Sequence, residues 1–293
     1  MSETRTSDGR NRLTGADVDG RLVGFGGLGL LVALTLVALV AGVNAKLVAI
    51  SWTAFGAMVV GAPLGARAAN SEHAFEPVWG YGLASGAMVT SAALFLVPQA
   101  LGQHGRFGSL GIAVGFLAGY VGHTLGHRLT HLDLPVDRTA AELTVHALSA
   151  GAIIGVIYTA MPSLTSILGV ALVAHKAPAG YAAARRLASE RRSPVALLLP
   201  AAAVGLVALP VGIVGLSLPS GVRGLVFGVA AGVFLHVAVD LLPECTAGSE
   251  SCPVDAADHD DDRHLLADRM RTHAAVSAVL GGAAVVLAWA AIA

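Results

Sequence analysis

The sequence predicts an all-helical protein that crosses a lipid bilayer several times. Of its 293 residues, 55% are apolar and only 13% are charged, about half the charged fraction of a soluble domain. The charges are also concentrated, because residues 1–21 carry eight of them and residues 244–273 carry eleven. This composition excludes a soluble enzyme and a disordered chain. With a net charge of −1 and no basic stripe, it also predicts no nucleic-acid partner.

Nine windows are long and apolar enough for a helical crossing, which needs about 20 mainly apolar residues. Their apolar residues surround the helix without the alternation of a membrane strand, which disfavours a β-barrel. In lipid, a helix also satisfies its own backbone hydrogen bonds. The windows are 22–43, 47–66, 80–102, 107–131, 141–161, 163–187, 194–218, 222–243 and 273–293. We therefore predict about nine membrane-spanning helices in contact with lipid.

The first window must be distinguished from a signal peptide, because arginines precede it. Its apolar run of 22 residues is longer than the roughly 7–15 residues of a signal sequence, so we expect a retained helix. The predicted organisation is a polar cytoplasmic tail at 1–21, an extra N-terminal helix at 22–43 and a main domain at 47–293. The main domain contains a polar acidic loop at 244–272.

Basic residues predict a cytoplasmic N-terminus and, with an odd number of spans, a C-terminus outside the cell. In this orientation fourteen arginines face the cytoplasm, and only Lys46, Arg106 and Arg223 face outside. We expect a multi-pass protein of the plasma membrane. Cys245 and Cys252 fall in the cytoplasmic loop, where the reducing compartment disfavours a disulfide.

Two pairs of similar segments indicate an internal repeat. The third and eighth windows end in Phe-Leu-Val-Pro-Gln (95–99) and Asp-Leu-Leu-Pro-Glu (240–244), each after a glycine-rich run. Segments 146–151 and 175–180 both begin with His and end with Gly, and a turn at 161–163 separates them. Two related three-helix groups around a central helical pair are typical of carriers with a binding site at the bilayer midplane.

Ionisable residues inside the predicted spans are the candidate functional residues, because burying charge in lipid is expensive. His146, His175 and Lys176 fall in mid-span on the repeated motif, which favours a functional role over simple packing. Pro178 cannot donate a backbone hydrogen bond, so we expect it to free the carbonyl of Ala174. A loosened backbone at membrane depth is tolerated where it lines a cavity.

Further ionisable residues recur at a spacing of four, which places them on one helical face. These are Glu142 with His146, and the series His123, His127 and His131; His236 and Asp240 are further ionisable residues inside a predicted span. Histidines at this spacing can present two imidazoles to one metal ion. The alternatives are hydration near the interface for His127, His131 and Asp240, and a hydrogen bond across the bundle for His236.

On these residues the chain resembles the ZIP (Zrt/Irt-like) family of divalent-metal transporters over 47–293. That family has eight helices in a 3+2+3 inverted arrangement, sometimes with an extra N-terminal helix. Its fourth and fifth helices carry His-Asn-x-Pro-Glu-Gly and His-Glu-x-Pro-Glu-Gly, which build a two-metal site, and its second and seventh end in Leu-Leu-Pro-Glu. Segments 232–244 and 175–180 match most specifically. The resemblance implies a carrier of Zn²⁺ or Fe²⁺ with no enzymatic activity and no resident cofactor.

The acidic positions of the family motifs are not kept. In the first motif Ala147, Ser149 and Ala150 replace Asn, Pro and Glu, and in the second Lys176 and Ala179 replace both Glu residues. Two neutral imidazoles supply no charge to a bound dication. We therefore expect a modified site for one metal ion. Its predicted ligands are His146, His175, Ser149, Glu142 and Asp240, and the predicted pathway residues are Lys176, His123, His127 and His236.

In this modified site, Glu142 or Asp240 would supply the missing negative charge, and Ser149 would add a weak oxygen ligand. A protonated Lys176 would repel the metal, or its ammonium could occupy the position of the second ion. The chain has no P-loop and no nucleophile elbow. A carrier would therefore draw its energy from a gradient or from the membrane potential.

Two alternative functions stay open. One is the same fold with a changed substrate, an anion or a proton-coupled solute, bound by two histidines and a lysine. The other is a transport-inactive membrane protein that senses metal, or binds a partner, through the Cys, His and Asp residues of 244–272. That loop could equally be a solvated acidic linker. Glycine-rich helix faces are also compatible with a homodimer.

Overall fold

A computed structural model describes residues 13–69, 75–129, 138–164, 166, 169, 173, 175–242 and 260–291. Within these ranges the chain is helical and forms no strand. The helices in chain order are α1 (Leu13–Val40), α2 (Ala45–Ala68), α3 (Phe75–Ser91, continued through a π turn at Ala92–Leu96 into Val97–Gln103), α4 (Gly105–Leu129), α5 (Arg138–Ala160), α6 (Lys176–Ser189), α7 (Leu198–Val214, after a 3-10 turn at Pro194–Leu197), α8 (Ser220–Asp240) and α9 (Asp260–Ala290).

Seven helices of the described chain are long and apolar enough to cross a membrane. These spans are Gly20–Val40, Ala45–Ala68, Pro77–Gln103, Thr139–Ala160, Pro194–Val214, Ser220–Asp240 and Leu265–Ala290. The protein is therefore a helical, multi-pass membrane protein. The windows predicted at 107–131 and 163–187, which correspond to α4 and α6, are not among the seven. The number nine stays a prediction.

The structure interrupts the sixth predicted window at His175. Val173 is helical, His175 lies in a turn, and α6 begins at Lys176. Pro178 is therefore the third residue of α6, where a missing N–H group removes no bond within the helix. Ala174 lies outside the described residues, so the predicted release of its carbonyl stays a prediction.

Two other helices differ in detail from the sequence prediction. α3 contains the π turn at Ala92–Leu96, just before Pro98. Pro98 cannot donate to the carbonyl of Leu94, and such a gap is a common cause of a local change in helical pitch. α9 begins at Asp260, within the loop predicted at 244–272. Acidic residues are favourable at a helix N-terminus, and three aspartates open α9.

Four pairs of helices approach so closely that only glycine fits between their backbones. α2 packs on α6, α5 on α7, α3 on α9 and α4 on α8. A Cβ atom would collide with the facing backbone at several glycines spaced four apart, among them Gly61 and Gly65 in α2, Gly111 and Gly115 in α4, and Gly228 and Gly232 in α8. Small residues at this spacing let membrane helices approach closely.

The helices of each close pair run parallel. In the pair α2–α6, Gly61 faces Ala177 and Gly65 faces Tyr181, so the residue numbers rise together. The same holds for α5–α7, where Gly151 faces Val204 and Gly155 faces Ala208. The pairs α3–α9 and α4–α8 follow the same rule.

These contacts divide the helices into two bundles. We call α1, α2, α5, α6 and α7 the first bundle, since α7 also contacts α1 and α2. The second bundle contains α3, α4, α8 and α9, in which α8 also contacts α3. In the described part of the chain, every glycine whose Cβ would meet another helix faces a helix of its own bundle. The boundary between the bundles, which we call the seam, is formed by side chains such as Phe234 and His175.

Two turns on one face of the molecule are joined by Lys46. Its ammonium donates to the carbonyl oxygens of Pro162 (3.2 Å) and Leu164 (2.9 Å). Asn44 caps α2 by accepting from the backbone N–H of Lys46 at 3.0 Å, and donates to Pro162 at 3.4 Å. The α1–α2 turn therefore lies beside the turn that follows α5.

We expect Gly115→Ala to destabilise the protein by about 1–3 kcal/mol, because the added methyl group would collide with the backbone of Val229. Thermal unfolding in detergent measures the effect. Gly122→Ala in the same helix is the matched control, since no atom of another element lies within 4 Å of its Cβ position. It should leave the melting temperature unchanged or raise it slightly. Equal melting temperatures for the two variants would contradict the close α4–α8 contact.

Candidate functional site

Two histidines from neighbouring helices meet where the repeated motifs meet. His146 of α5 and His175 at the start of α6 have their Nε2 atoms 3.4 Å apart, and their rings cross at 73°. His175 is only 4% exposed, and His146 is half-buried. The sequence prediction that paired these residues therefore corresponds to a contact in the structure.

The glycine that follows each histidine by five residues positions its helix. Gly151 lets α5 lie directly on the backbone of Val204 in α7. Gly180 lets α6 lie on Met58 in α2. Both glycines are buried, and a side chain at either would separate the helix from its partner. The His and Gly positions of the motif thus have distinct tasks: one provides an imidazole and the other fixes the helix that carries it.

The separation of the two imidazoles fits a shared metal ion. Zinc–nitrogen bonds of about 2.0–2.1 Å at a tetrahedral angle place two nitrogen ligands about 3.3–3.4 Å apart. The observed 3.4 Å between the Nε2 atoms matches this value. A direct hydrogen bond between the rings would be long, since N–H donors usually lie about 2.7–3.2 Å from their acceptors. The pair can therefore supply two of the four ligands of a tetrahedral ion.

Lys176 introduces a positive charge beside this pair. Its side chain is only 2% exposed, and its ammonium has no hydrogen-bond partner among the described residues. It directly follows His175 in the chain. A bound cation would be repelled by this ammonium, and the repulsion is strong where the dielectric constant is low. A cation bound by the two histidines would therefore need a negative charge nearby to offset the ammonium of Lys176.

The site faces the seam between the two bundles. The ring of Phe234 in α8 packs edge-on against His175, with ring centroids 5.1 Å apart. Further along the seam, a narrow cleft is lined by Val156, Ile157, Ala160, Met161, Arg223, Val226 and Phe227. Both imidazoles belong to the first bundle, while the aromatic wall beside them belongs to the second.

The other predicted ligands are not seen at this pair. Ser149 is exposed, and its hydroxyl donates to the carbonyl of Val145 at 3.0 Å. A carboxylate oxygen of Asp240 instead lies 3.4 Å from the Nε2 atom of His236 on the same helix. The side chains of Glu142, His123 and His127, and the whole of His131, lie outside the described residues. In the described part of the chain, no three His, Cys, Asp or Glu side chains group closely enough to hold a metal ion.

His236 and Asp240, both on α8, form a second polar pair, and the ring of His236 faces α4. The Nε2 atom of His236 lies 3.4 Å from an Asp240 carboxylate oxygen, and the carboxylate is 40% exposed. The rings of Phe116 and Tyr120 in α4 lie edge-on to the buried imidazole. Gly119 leaves the space for it, because a Cβ there would come within 2.5 Å of the His236 ring.

Phe234 and Gly119 shape the surroundings of two buried histidines, and neither was among the residues predicted from the sequence. Gly119 continues the spacing of four that begins with Gly111 and Gly115, so its place on the α8-facing side of α4 was available as a signal. No comparable signal identified Phe234, because an aromatic residue in an apolar helix has no distinguishing pattern.

No model of a known protein family matches the chain, and no curated protein matches it in sequence. The fold defines its class as a helical multi-pass membrane protein. The resemblance to the ZIP family rests on the sequence segments quoted above.

We expect Gly119→Ala to lower stability by displacing the His236 ring, by about 1–3 kcal/mol as for other overpacked sites. In a His236→Ala background the same change should have a much smaller effect, since the ring atoms are absent and only the Cβ of residue 236 remains, 3.0 Å away. Melting temperatures of the four proteins in this double-mutant cycle measure the coupling. Additive effects would show that Gly119 and His236 are not in contact.

Proposed function

We propose that the protein is a membrane carrier for divalent transition-metal ions of the zinc and iron class, with a ZIP-like fold and one site centred on His146 and His175. The observation that supports this proposal is the 3.4 Å separation of their Nε2 atoms, which suits a tetrahedral ion. The ion is the cargo of the carrier, and two neutral imidazoles are ligands from which it can be released.

The pairing of the helices supports the inverted repeat. The inverted repeat relates α2, α3 and α4 to α7, α8 and α9 in that order, and it relates α5 to α6. When each helix is replaced by its counterpart, the close pair α2–α6 becomes the pair α7–α5. The pair α3–α9 becomes α8–α4 in the same way. Both products are among the close pairs of the structure. This exchange also carries His146 onto His175, so the proposed site lies where the two halves of the repeat meet.

The parallel pairing supports nine spans. α4 runs parallel to α8, with glycine contacts from Gly108 to Gly119, and α8 is itself long and apolar enough to span the membrane. Every close pair joins two helices separated by an even number of steps along the chain, as expected if each helix reverses direction. We therefore propose nine crossings of the plasma membrane, with the N-terminus cytoplasmic and the C-terminus outside.

A changed substrate is the second candidate function. The buried ammonium of Lys176, without a hydrogen-bond partner in the described structure, favours an anion over a dication as cargo. The two candidates differ in whether the protein moves a metal ion when no anion gradient is imposed.

Cysteine labelling tests the proposed orientation. In intact cells, a membrane-impermeant maleimide should leave the natural residues Cys245 and Cys252 unmodified and should label them after permeabilisation. In a variant without these two cysteines, Lys46→Cys should be labelled from outside in intact cells. The opposite pattern would invert the proposed topology.

Metal uptake into proteoliposomes tests the proposed cargo. The wild-type protein should transport at least one of Zn²⁺, Fe²⁺, Mn²⁺ and Co²⁺. His146→Ala/His175→Ala should weaken metal binding by at least about 100-fold. Even the loss of a residue that only hydrogen-bonds to a metal ligand lowers metal affinity by about 10–100-fold.

The matched control is His259→Ala/His264→Ala, which removes two histidines from the loop predicted at 244–272 and should transport normally. A loss of transport in this control alone would favour the loop as the metal-binding element. Undiminished uptake by the His146→Ala/His175→Ala variant would refute the proposed site.

A further inference from the structure

The described residues bring too little negative charge to the proposed site for the ion that it would bind. His146 and His175 contribute two neutral nitrogen atoms. The described residues bring no third His, Cys, Asp or Glu side chain to them. A dication in a medium of low dielectric constant needs anionic ligands or pays a large desolvation penalty. At least one further ligand must therefore come from elsewhere.

Lys176 also calls for a negative charge, because it places an ammonium group in the protein interior. Its ammonium is 2% exposed and lacks a hydrogen-bond partner among the described residues. Buried charges in proteins are paired, because an unpaired one is strongly destabilising. Lys176 directly follows His175 in the chain, so its buried side chain begins beside a proposed ligand of the ion. The metal and the lysine thus require a counter-charge in the same small region.

The start of α6 provides a second feature that attracts an anion. α6 has 14 residues and begins at Lys176, and the His175 side chain makes no capping hydrogen bond. The first N–H groups of a helix have no partner within the helix, and they lie at its positive end. Because the Cα–Cβ bonds of a helix tilt toward its N-terminus, the side chain of Lys176 leaves the backbone toward the same end. Interrupted membrane helices characteristically direct such an N-terminus at anionic groups.

We propose that Lys176 and the N-terminus of α6 hold a small monovalent inorganic anion, which serves as an additional ligand of the metal ion bound by His146 and His175. This inference rests on the proposed function. The anion would lie between the ammonium and the metal and would replace, in effect, the carboxylates that the family motifs carry. The site would then load a metal and an anion together, and a fixed carboxylate would not be needed.

Co²⁺ binding to the purified full-length protein in detergent tests the inference, because the visible absorption bands of Co²⁺ depend on its ligands. The titration is done in chloride, bromide, iodide and methanesulfonate salts at equal ionic strength. The bands should shift from one halide to the next. Co²⁺ affinity should be about tenfold or more weaker in methanesulfonate, as for the loss of other groups that support a metal site.

Lys176→Met should abolish the dependence on the anion, whether its overall Co²⁺ affinity rises or falls. Lys46→Met is the matched control, since it removes the only other lysine of the chain and should retain the dependence. Melting temperatures show whether each variant is folded. The halide series on the wild-type protein tests the inference without any variant.

Two results would overturn the inference. Co²⁺ binding with the same spectrum and affinity in every salt would mean that the protein itself supplies the negative ligand. Loss of that binding in Glu142→Gln would then identify the carboxylate. An absence of Co²⁺ binding in every salt would refute the metal-carrier function and the anion site together.

Discussion

The close approach of helix backbones at glycine residues is the interaction on which the rest of this structure depends. Between helices in lipid there is no hydrophobic driving force, because the lipid tails are as apolar as the side chains. What remains is the van der Waals attraction between closely packed atoms. Each glycine strengthens it, because the neighbouring helix can approach the backbone there. Gly61 and Gly65 do this for α2 and α6, and Gly151 does it for α5 and α7. The two histidines meet because the helices that carry them are fixed in this way.

The sequence was sufficient to locate most helices, because a crossing helix is marked by its composition. The second window, predicted at 47–66, is the helix Ala45–Ala68, and the seventh, at 194–218, is the span Pro194–Val214. The interruption at His175 was not predictable from apolarity, since the residues on both sides of it, apart from Lys176, are apolar or small. Pro178 was the signal, but proline is compatible with either a kink inside a helix or the first turn of a new one. Only the three-dimensional structure distinguishes these cases.

The candidate site was predicted less completely than the fold. Repetition of the motif was enough to pair His146 with His175, because the two residues occupy equivalent places in related helices. Spacing along one helix determines which residues share a face, but not which neighbouring helix that face meets. For this reason the sequence could suggest Asp240 as a metal ligand, whereas the structure pairs it with His236. The exposure of Ser149 likewise depends on how α5 is rotated against α7.

The division of the glycine contacts has a consequence for movement. Every close backbone contact at a glycine in the described structure lies inside one bundle. Apart from the connecting segments of the chain, the contacts described across the seam are made by side chains, such as those of His175 and Phe234. Side chains can change rotamer and slide past one another, while interlocked backbones cannot. A displacement of one bundle along the seam would therefore leave all four helix pairs intact. His146 and His175 would travel together with the first bundle, and Phe234 would stay behind with the second, so the two imidazoles would keep their geometry while their surroundings changed.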